Sequence, residues 1–253
     1  MSLNRRFFAL AATSFVIASS AQAWSFNFGS GERVIGSGEI TSETRDLGSF
    51  DGISLSGGFK VLVRQSSTAK VELKADKNLL ALIETKVVDG SKGRTLEISP
   101  KRGYNLATTV TPVITLDMAQ LRAMSIAGSG DVRVEAMKTP SVEASIAGSG
   151  NIHFTDLESD RLGLRVAGSG DITAIGRTDK LDVSVAGSGD VKLRGLVAQD
   201  VKVSIAGSGD AQVQAIKTLK VSVSGSGDVG YIGSPEISMS VAGSGKVRKL
   251  QNQ

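Results

Sequence analysis

Ala127-Gly128-Ser129-Gly130-Asp131-Val132 returns twenty residues later as Ala147-Gly148-Ser149-Gly150-Asn151-Ile152, and the fold is legible in that return. The unit recurs at Ala167–Ile172, Ala186–Val191, Ala206–Ala211, Ser224–Val229 and Ala242–Val247. Its first glycines stand at 128, 148, 168, 187, 207, 225 and 243, so the steps are 20, 20, 19, 20, 18 and 18 residues. A fixed period of this length marks a repeat architecture, in which each unit buries its apolar face only by stacking on its neighbours.

Around each unit the residues alternate, which is the period-2 signature of a strand. Val142, Ala144 and Ile146 alternate with Ser141, Glu143 and Ser145, and the same places hold Val201, Val203 and Ile205 one period set later. After the turn, Val132 and Val134, Ile152 and Phe154, and Val191 and Leu193 point the same way. Each period thus supplies two strands with one apolar face. A propeller blade would need about 40 residues and four strands. Leucine-rich repeats carry an asparagine or cysteine and a helical return that this sequence lacks. The expected fold is therefore an all-β, right-handed parallel β-helix with coils of roughly 18–20 residues. The two 18-residue steps are expected to lose their residues in a loop near Ile216-Lys217-Thr218.

The regular β-helix is expected over 121–253, with irregular β coils and a cap over 24–120, the two forming one continuous domain. Ile53-Ser54-Leu55-Ser56-Gly57-Gly58-Phe59-Lys60-Val61 repeats the strand-turn-strand pattern without the acid, and Gly36-Ser37-Gly38-Glu39-Ile40 echoes it again. Further strands are expected over 70–74, 84–89, 95–99 and 112–117, and a helical turn over 77–82. At the other end Lys246 replaces the aspartate and Arg248 and Lys249 follow, charges that discourage strand addition at an edge.

Arg5 and Arg6, the apolar run from Phe7 to Ala18, and Ala21-Gln22-Ala23 read as a signal peptide cleaved after residue 23. Asn4-Arg5-Arg6-Phe7-Phe8 also matches a twin-arginine export signal. The run is too short to span a bilayer, which takes roughly 20 residues, so no transmembrane segment is expected after cleavage. The expected location is the periplasm or the cell surface of a bacterium. Without the signal, 27 basic residues face 25 acidic ones, a net charge of +2, which gives no reason to expect a nucleic-acid partner. The absence of cysteine excludes disulfides and thiolate metal sites.

Stacking puts Asp171, Asp190, Asp210 and Asp228 in an acidic column, extended by Asp131 and Asn151, with neighbours about 4.8 Å apart. Three readings compete. The carboxylates can accept backbone N–H bonds within their own turns; they can hold cations; or pairs at about 5–9.5 Å can serve glycosidic hydrolysis. Calcium-binding solenoids use a nine-residue period, and a catalytic pair should be a local exception rather than a feature of nearly every coil. Turn acceptors are the preferred reading, with no cofactor, no catalytic residue and a cation on Asp171, Asp190, Asp210 and Asp228 as the lesser alternative.

His153 is the lone histidine, falls on an outward place and lacks the partner that catalysis needs. The turn serines recur without any histidine-acid pair. Trp24, Phe26 and Phe28 alternate as a first strand or cap would. One outward face stands out. Ser125, Ser145, Arg165, Ser184, Ser204, Ser222 and Ser240, with Ala127, Ala147, Ala167, Ala186, Ala206, Ser224 and Ala242 two residues on, form a flat strip of mostly small side chains suited to docking a polymer, a protein or a second copy.

Arg45-Asp46-Leu47-Gly48-Ser49-Phe50-Asp51-Gly52-Ile53, the repeated Gly-Ser-Gly-Asp turns and Val229-Gly230-Tyr231-Ile232-Gly233-Ser234-Pro235 resemble the bacterial autotransporter-adhesin head GIN domain family over roughly residues 36–250. The resemblance implies a β-helical fold, an envelope or extracellular location and no catalytic residues to carry over. The resulting expectation is a non-enzymatic exported scaffold or interaction module, adhesin-head-like, whose partner is an envelope protein, a polysaccharide or itself. A carbohydrate-binding or carbohydrate-active β-helix is the alternative. An enzyme should break the coil pattern with an aromatic-lined groove, and aromatics are only 4% of the chain.

Overall fold

The computed structural model describes residues 31–90 and 93–251. The expected signal peptide and the Trp24–Phe28 alternation lie outside them. Among the described residues the chain is a parallel β-helix, and its second half winds as the repeat requires. The strands β10 (Ala123–Gly128), β11 (Asp131–Lys138) and β12 (Ser141–Gly148) lead into four long ones. These are β13 (Asn151–Gly168), β14 (Asp171–Gly187), β15 (Val191–Gly207) and β16 (Ala211–Gly225). Each long strand runs through two sides of its coil into the next corner and pairs in parallel with the strand one period on.

Alternation does what the sequence expects of it. Val142, Leu162, Leu181, Val201 and Leu219 stack in register inside, as do Ile146, Val166, Val185, Ile205 and Val223. Stacked β-branched and leucine side chains fill a narrow interior in well-defined rotamers. Burying each is worth about 1.5–3 kcal/mol, which is how coils without disulfides hold together.

Coil-length differences are absorbed at bulges, though not where the spacing suggested. Leu193 faces Val213 and Val197 faces Gln214, leaving Arg194, Gly195 and Leu196 without partners in the next coil. Ala198–Asp200 then faces Ala215–Thr218, so the region of Ile216 gains a residue rather than losing one. The deletion sits three residues earlier than expected, because alternation is lost at the bulge and the register there cannot be counted from sequence.

The first third departs further. β3 (Gly52–Ser56) and β4 (Lys60–Gln65) form the expected coil, paired in parallel with β10 and β11. That coil is not the end of the stack. β7 (Gly93–Pro100) pairs with β3, and β9 (Val113–Met118) pairs with β4, so a later stretch of chain lies outside an earlier one. Antiparallel strands then close the helix: β6 (Ile83–Gly90) on β7, β5 (Lys70–Asp76) on β9, and β2 (Ile40–Arg45) on β5. The helical turn is a short 3₁₀ segment, Leu80–Leu82. β1 (Glu32–Ile35) and β8 (Tyr104–Ala107) form a separate parallel pair.

The Gly36-Ser37-Gly38 echo is not a coil corner. It wraps Asp76, whose side chain is wholly buried. Gly38 N–H donates to Asp76 Oδ1 at 2.8 Å, Thr109 Oγ1 to the same oxygen at 2.6 Å and Thr109 N–H to Oδ2 at 3.1 Å. The Thr109 hydroxyl bond, helped by the two N–H donors, outweighs the cost of burial and holds this carboxyl below the usual aspartate range. A lowered native pKa gives stability that is present above about pH 3.9, the unfolded value, and lost as pH falls through the native one. The melting temperature of the protein should therefore fall on acidification below about pH 4. Asp76→Asn should lower it at neutral pH, since one of the donors loses its acceptor, and should flatten that part of the pH profile in thermal scans.

Candidate functional site

The repeated corner is where the coils approach most closely. The carbonyl of each first glycine accepts an N–H from the serine of the next coil: Ser149 to Gly128 at 2.9 Å, Ser188 to Gly168 at 2.9 Å, and Ser226 to Gly207 at 2.9 Å. The first glycines have φ between 119° and 136°, a region that L side chains rarely enter. A Cβ at Gly148 would also stand 2.5 Å from the Gly128 carbonyl oxygen. The second glycine has ordinary φ yet is as constrained, because a Cβ at Gly150 would overlap the Gly130 carbonyl oxygen. Two glycines per coil therefore answer two different demands.

The aspartates form the expected column, bonded differently from the expectation. Each side chain reaches to the next coil rather than to its own turn. Asp171 Oδ1 accepts from Asp190 N–H at 3.0 Å, Asp190 Oδ1 from Asp210 N–H at 3.1 Å, and Asp210 Oδ1 from Asp228 N–H at 2.8 Å. Asn151 Oδ1 accepts from Asp171 N–H in the same way, at 3.3 Å. Lys246 N–H is the last donor, on Asp228 Oδ1 at 2.9 Å. Among the described residues no further coil stacks on Lys246, so its side chain has no N–H of a next coil to receive. Neighbouring carboxylates repel by about 1 kcal/mol at 4 Å in water. Lys192 offsets part of this, with Nζ 3.4 Å from Asp171 and 3.5 Å from Asp190. Partial burial lowers the Lys192 pKa, but the two aspartates outweigh it and raise the value above an ordinary lysine's. Among the described residues no cluster of three or more His or acidic side chains is placed to hold a metal ion.

The serine strip is brought into strict register. Ser125 faces Ser145, Ser145 faces Arg165, Arg165 faces Ser184, and Ser184, Ser204, Ser222 and Ser240 follow in line. The β3 coil adds two residues that the sequence reading had not assigned to it: Ser54 beside Ser125 and Ser56 beside Ala127. The Ile53–Val61 pattern already carried the signal that would have found them. Arg165 is the one interruption. Its Nη1 pairs with Glu143 Oε2 at 2.8 Å, and Glu143 lies over Gly163, where a Cβ would stand 2.5 Å from the carboxylate. A shallow pit of about 200 Å³ opens beside this pair, over Thr95, Ser125 and Ser145.

Two further features sit elsewhere. His153 is half-buried, with Nδ1 hydrogen-bonded to Thr173 Oγ1. On the third side of the coils a concave surface of about 970 Å³ is lined by Lys138, Asp156, Glu158, Asp160, Arg177 and Asp179 among others. Lys138 and Arg177 each lie 2.7 Å from Glu158, and their hydrogen bonds lower its pKa.

A stacked β-helix with glycine corners, a row of small residues interrupted by Arg165, and acids used as backbone acceptors defines a β-solenoid built from near-identical coils. The chain belongs to the family described as "Putative auto-transporter adhesin, head GIN domain", whose model matches residues 49–235. Solved structures agree. A crystal structure of a "putative adhesin" from Bacteroides fragilis is 25% identical with a TM-score of 0.81, covering 86% of this chain and all of the other. One from Parabacteroides distasonis, called a "Putative lipid binding protein", is 28% identical with a TM-score of 0.70, covering 87% and 100%. A putative adhesin from Parabacteroides merdae, 21% identical with a TM-score of 0.69, shares the fold. No curated protein matches the chain.

If the aspartates serve only as backbone acceptors, Asp190→Asn should leave stability within about 0.5 kcal/mol, because an amide oxygen accepts the same bond, as Asn151 does. Asp190→Ala should cost about 1 kcal/mol. Denaturant titration measures both, and calcium or a chelator should leave the melting temperature of the parent unchanged.

Proposed function

We propose that the protein is a non-enzymatic interaction module of the bacterial cell envelope, exported and adhesin-head-like, which meets its partner through the serine-alanine face. The observation that carries this reading is the register of Ser145, Ser184, Ser204, Ser222 and Ser240 with Ala147, Ala186, Ala206, Ser224 and Ala242 beside them, one strip interrupted only at Arg165 and aligned by parallel pairing. A face so low in side-chain bulk lets another sheet or an extended polymer approach closely. From Ser184 to Ser240 it offers a hydroxyl about every 4.8 Å, which suits a ligand that is itself periodic. The family's description and the adhesin named in Bacteroides fragilis support the reading. No side chain along the strip has a nucleophile's partner base, and the aspartates are occupied by backbone N–H groups.

Carbohydrate binding is the second reading, favoured by the concave third side with its charged lining. The two readings place the ligand on different faces, so paired variants separate them. Binding to purified peptidoglycan sacculi, envelope polysaccharide and immobilised outer-membrane proteins is measured for the parent, for Ser184→Arg/Ser222→Arg and for Lys138→Ala/Arg177→Ala. Loss of binding by ten-fold or more in the serine pair, with melting temperature unchanged, is expected. Loss only in the Lys138/Arg177 pair would move the site to the third side, and turnover of any polysaccharide would end the non-enzymatic reading.

A further inference from the structure

Strands β1 and β8 form a sheet of their own, apart from the seventeen-stranded one. With their flanks they make a strap of two arms, 32–38 before β2 and 102–111 between β7 and β9. Tyr104 N–H closes a turn on Lys101 at the base of the second arm. Apart from that turn, among the described residues every hydrogen bond from the arms to the rest of the chain ends on Asp76 or Asn78. Asp76 accepts three, one from Gly38 and two from Thr109, and so ties both arms. Asn78 makes the other two, accepting from Ser37 N–H at 2.9 Å and donating to the Ile35 carbonyl at 2.8 Å. The second arm is tied at Asp76 alone.

Apolar packing adds little to these ties. Leu106 packs against the core, whereas Ile35 and Val110 are 66% and 56% exposed. A two-stranded pair is marginal in water by itself. Asp76 owes its burial to the strap. The inward row of β5 is Val71, Leu73 and Ala75, and Asp76 stands on the outward row with Glu72 and Lys74. Gly36 covers it so closely that a Cβ there would stand 2.4 Å from the carboxylate. Among the described residues it is the one charged side chain that is buried.

We propose that the strap is an acid-released latch, which opens as a unit while the coils stay wound and which the Asp76 carboxylate holds shut. Segments with few buried apolar contacts open locally at low cost. Docking, chiefly through the Thr109 hydroxyl, holds the Asp76 carboxyl below its usual range, and in the open state the group rejoins Glu72 and Lys74 in solvent. The ionised form therefore favours the docked strap. That preference is complete above about pH 3.9, the free value, and is lost as pH falls through the docked one. Neighbouring charges do not compete for the group. Glu39 and Lys77 pair with each other at 2.9 Å, Lys74 is exposed, and the 36–38 turn, the 108–111 loop and the 3₁₀ segment carry no titratable side chain. Opening uncovers Asp76 and the seat of Leu106 at the first end and leaves the serine-alanine face intact.

Hydrogen–deuterium exchange of the purified chain at neutral pH, read by mass spectrometry, compares peptides over 31–38 and 101–111 with peptides over 142–225. In the parent the strap should exchange faster than the coils. Asp76→Asn and Thr109→Val should each speed the strap by about ten-fold or more, the worth of a hydrogen bond to a charged group, with the coils unchanged. Val203→Ala, which loosens a coil, should leave the strap as it was. From about pH 5 to about pH 3, with rates divided by the intrinsic ones, strap protection should fall in the parent and stay level in Asp76→Asn. Equal acceleration of strap and coils in Asp76→Asn or in Thr109→Val would overturn the proposal. So would a strap as well protected as the coils, or an acid response that survives in Asp76→Asn.

Discussion

The glycine carbonyl that accepts the next coil's serine N–H at 2.9 Å is the contact on which the rest of the molecule depends. At that spacing the corner has no room for a Cβ at either glycine, and the first must also adopt a positive φ. From Gly148 onward every first glycine repeats the corner because each faces the preceding glycine's carbonyl oxygen in the same way. Once the corners are fixed, the strands on either side are locked in register, and period-2 alternation sends one set of side chains inward to the core and the other outward.

The aspartate column follows from the same geometry. From Asp190 onward the backbone N–H at that place points to the preceding coil and finds a carboxylate oxygen there. The bond joins coil to coil, so the acids act as rungs of a side-chain ladder parallel to the backbone one. Their mutual repulsion is tolerated because each has a donor to satisfy and Lys192 lies between two of them. The row that most resembled a binding site thus also holds coil to coil through one oxygen of each acid. The serine-alanine strip also belongs to the ladder, since its residues pair coil to coil through their backbones.

The contrast between the ends has the same origin. A repeat cannot end itself, because every coil leaves an edge and an open core for the next. The N-terminal end solves this by reversing strand direction and crossing β9 between β4 and β5, which buries Asp76 under a clasp of Gly38 and Thr109. At the last described coil only one corner residue changes, to Lys246, and among the described residues Met239 and Val241 stay exposed.

The regular half was readable from the chain, since strict periodicity and alternation translate directly into stacked strands. The fold class, the corner, the column and the serine strip all followed from it. The family resemblance too rested on residues that can be quoted. Four features needed the tertiary structure. The out-of-order coil of β7 and β9 and the antiparallel cap depend on which edges meet, and strands of either direction have the same alternation. The bulge at Arg194–Leu196 shifts register where alternation fails. The aspartates' acceptance from the next coil, not their own turn, is a difference of a few ångströms that residue type does not encode. The openness of the last coil is a property of what lies beyond Val241 in space. A sequence marks Val241 as apolar and inward, but burial requires a neighbour, and only the assembled stack shows that none of the described coils provides one.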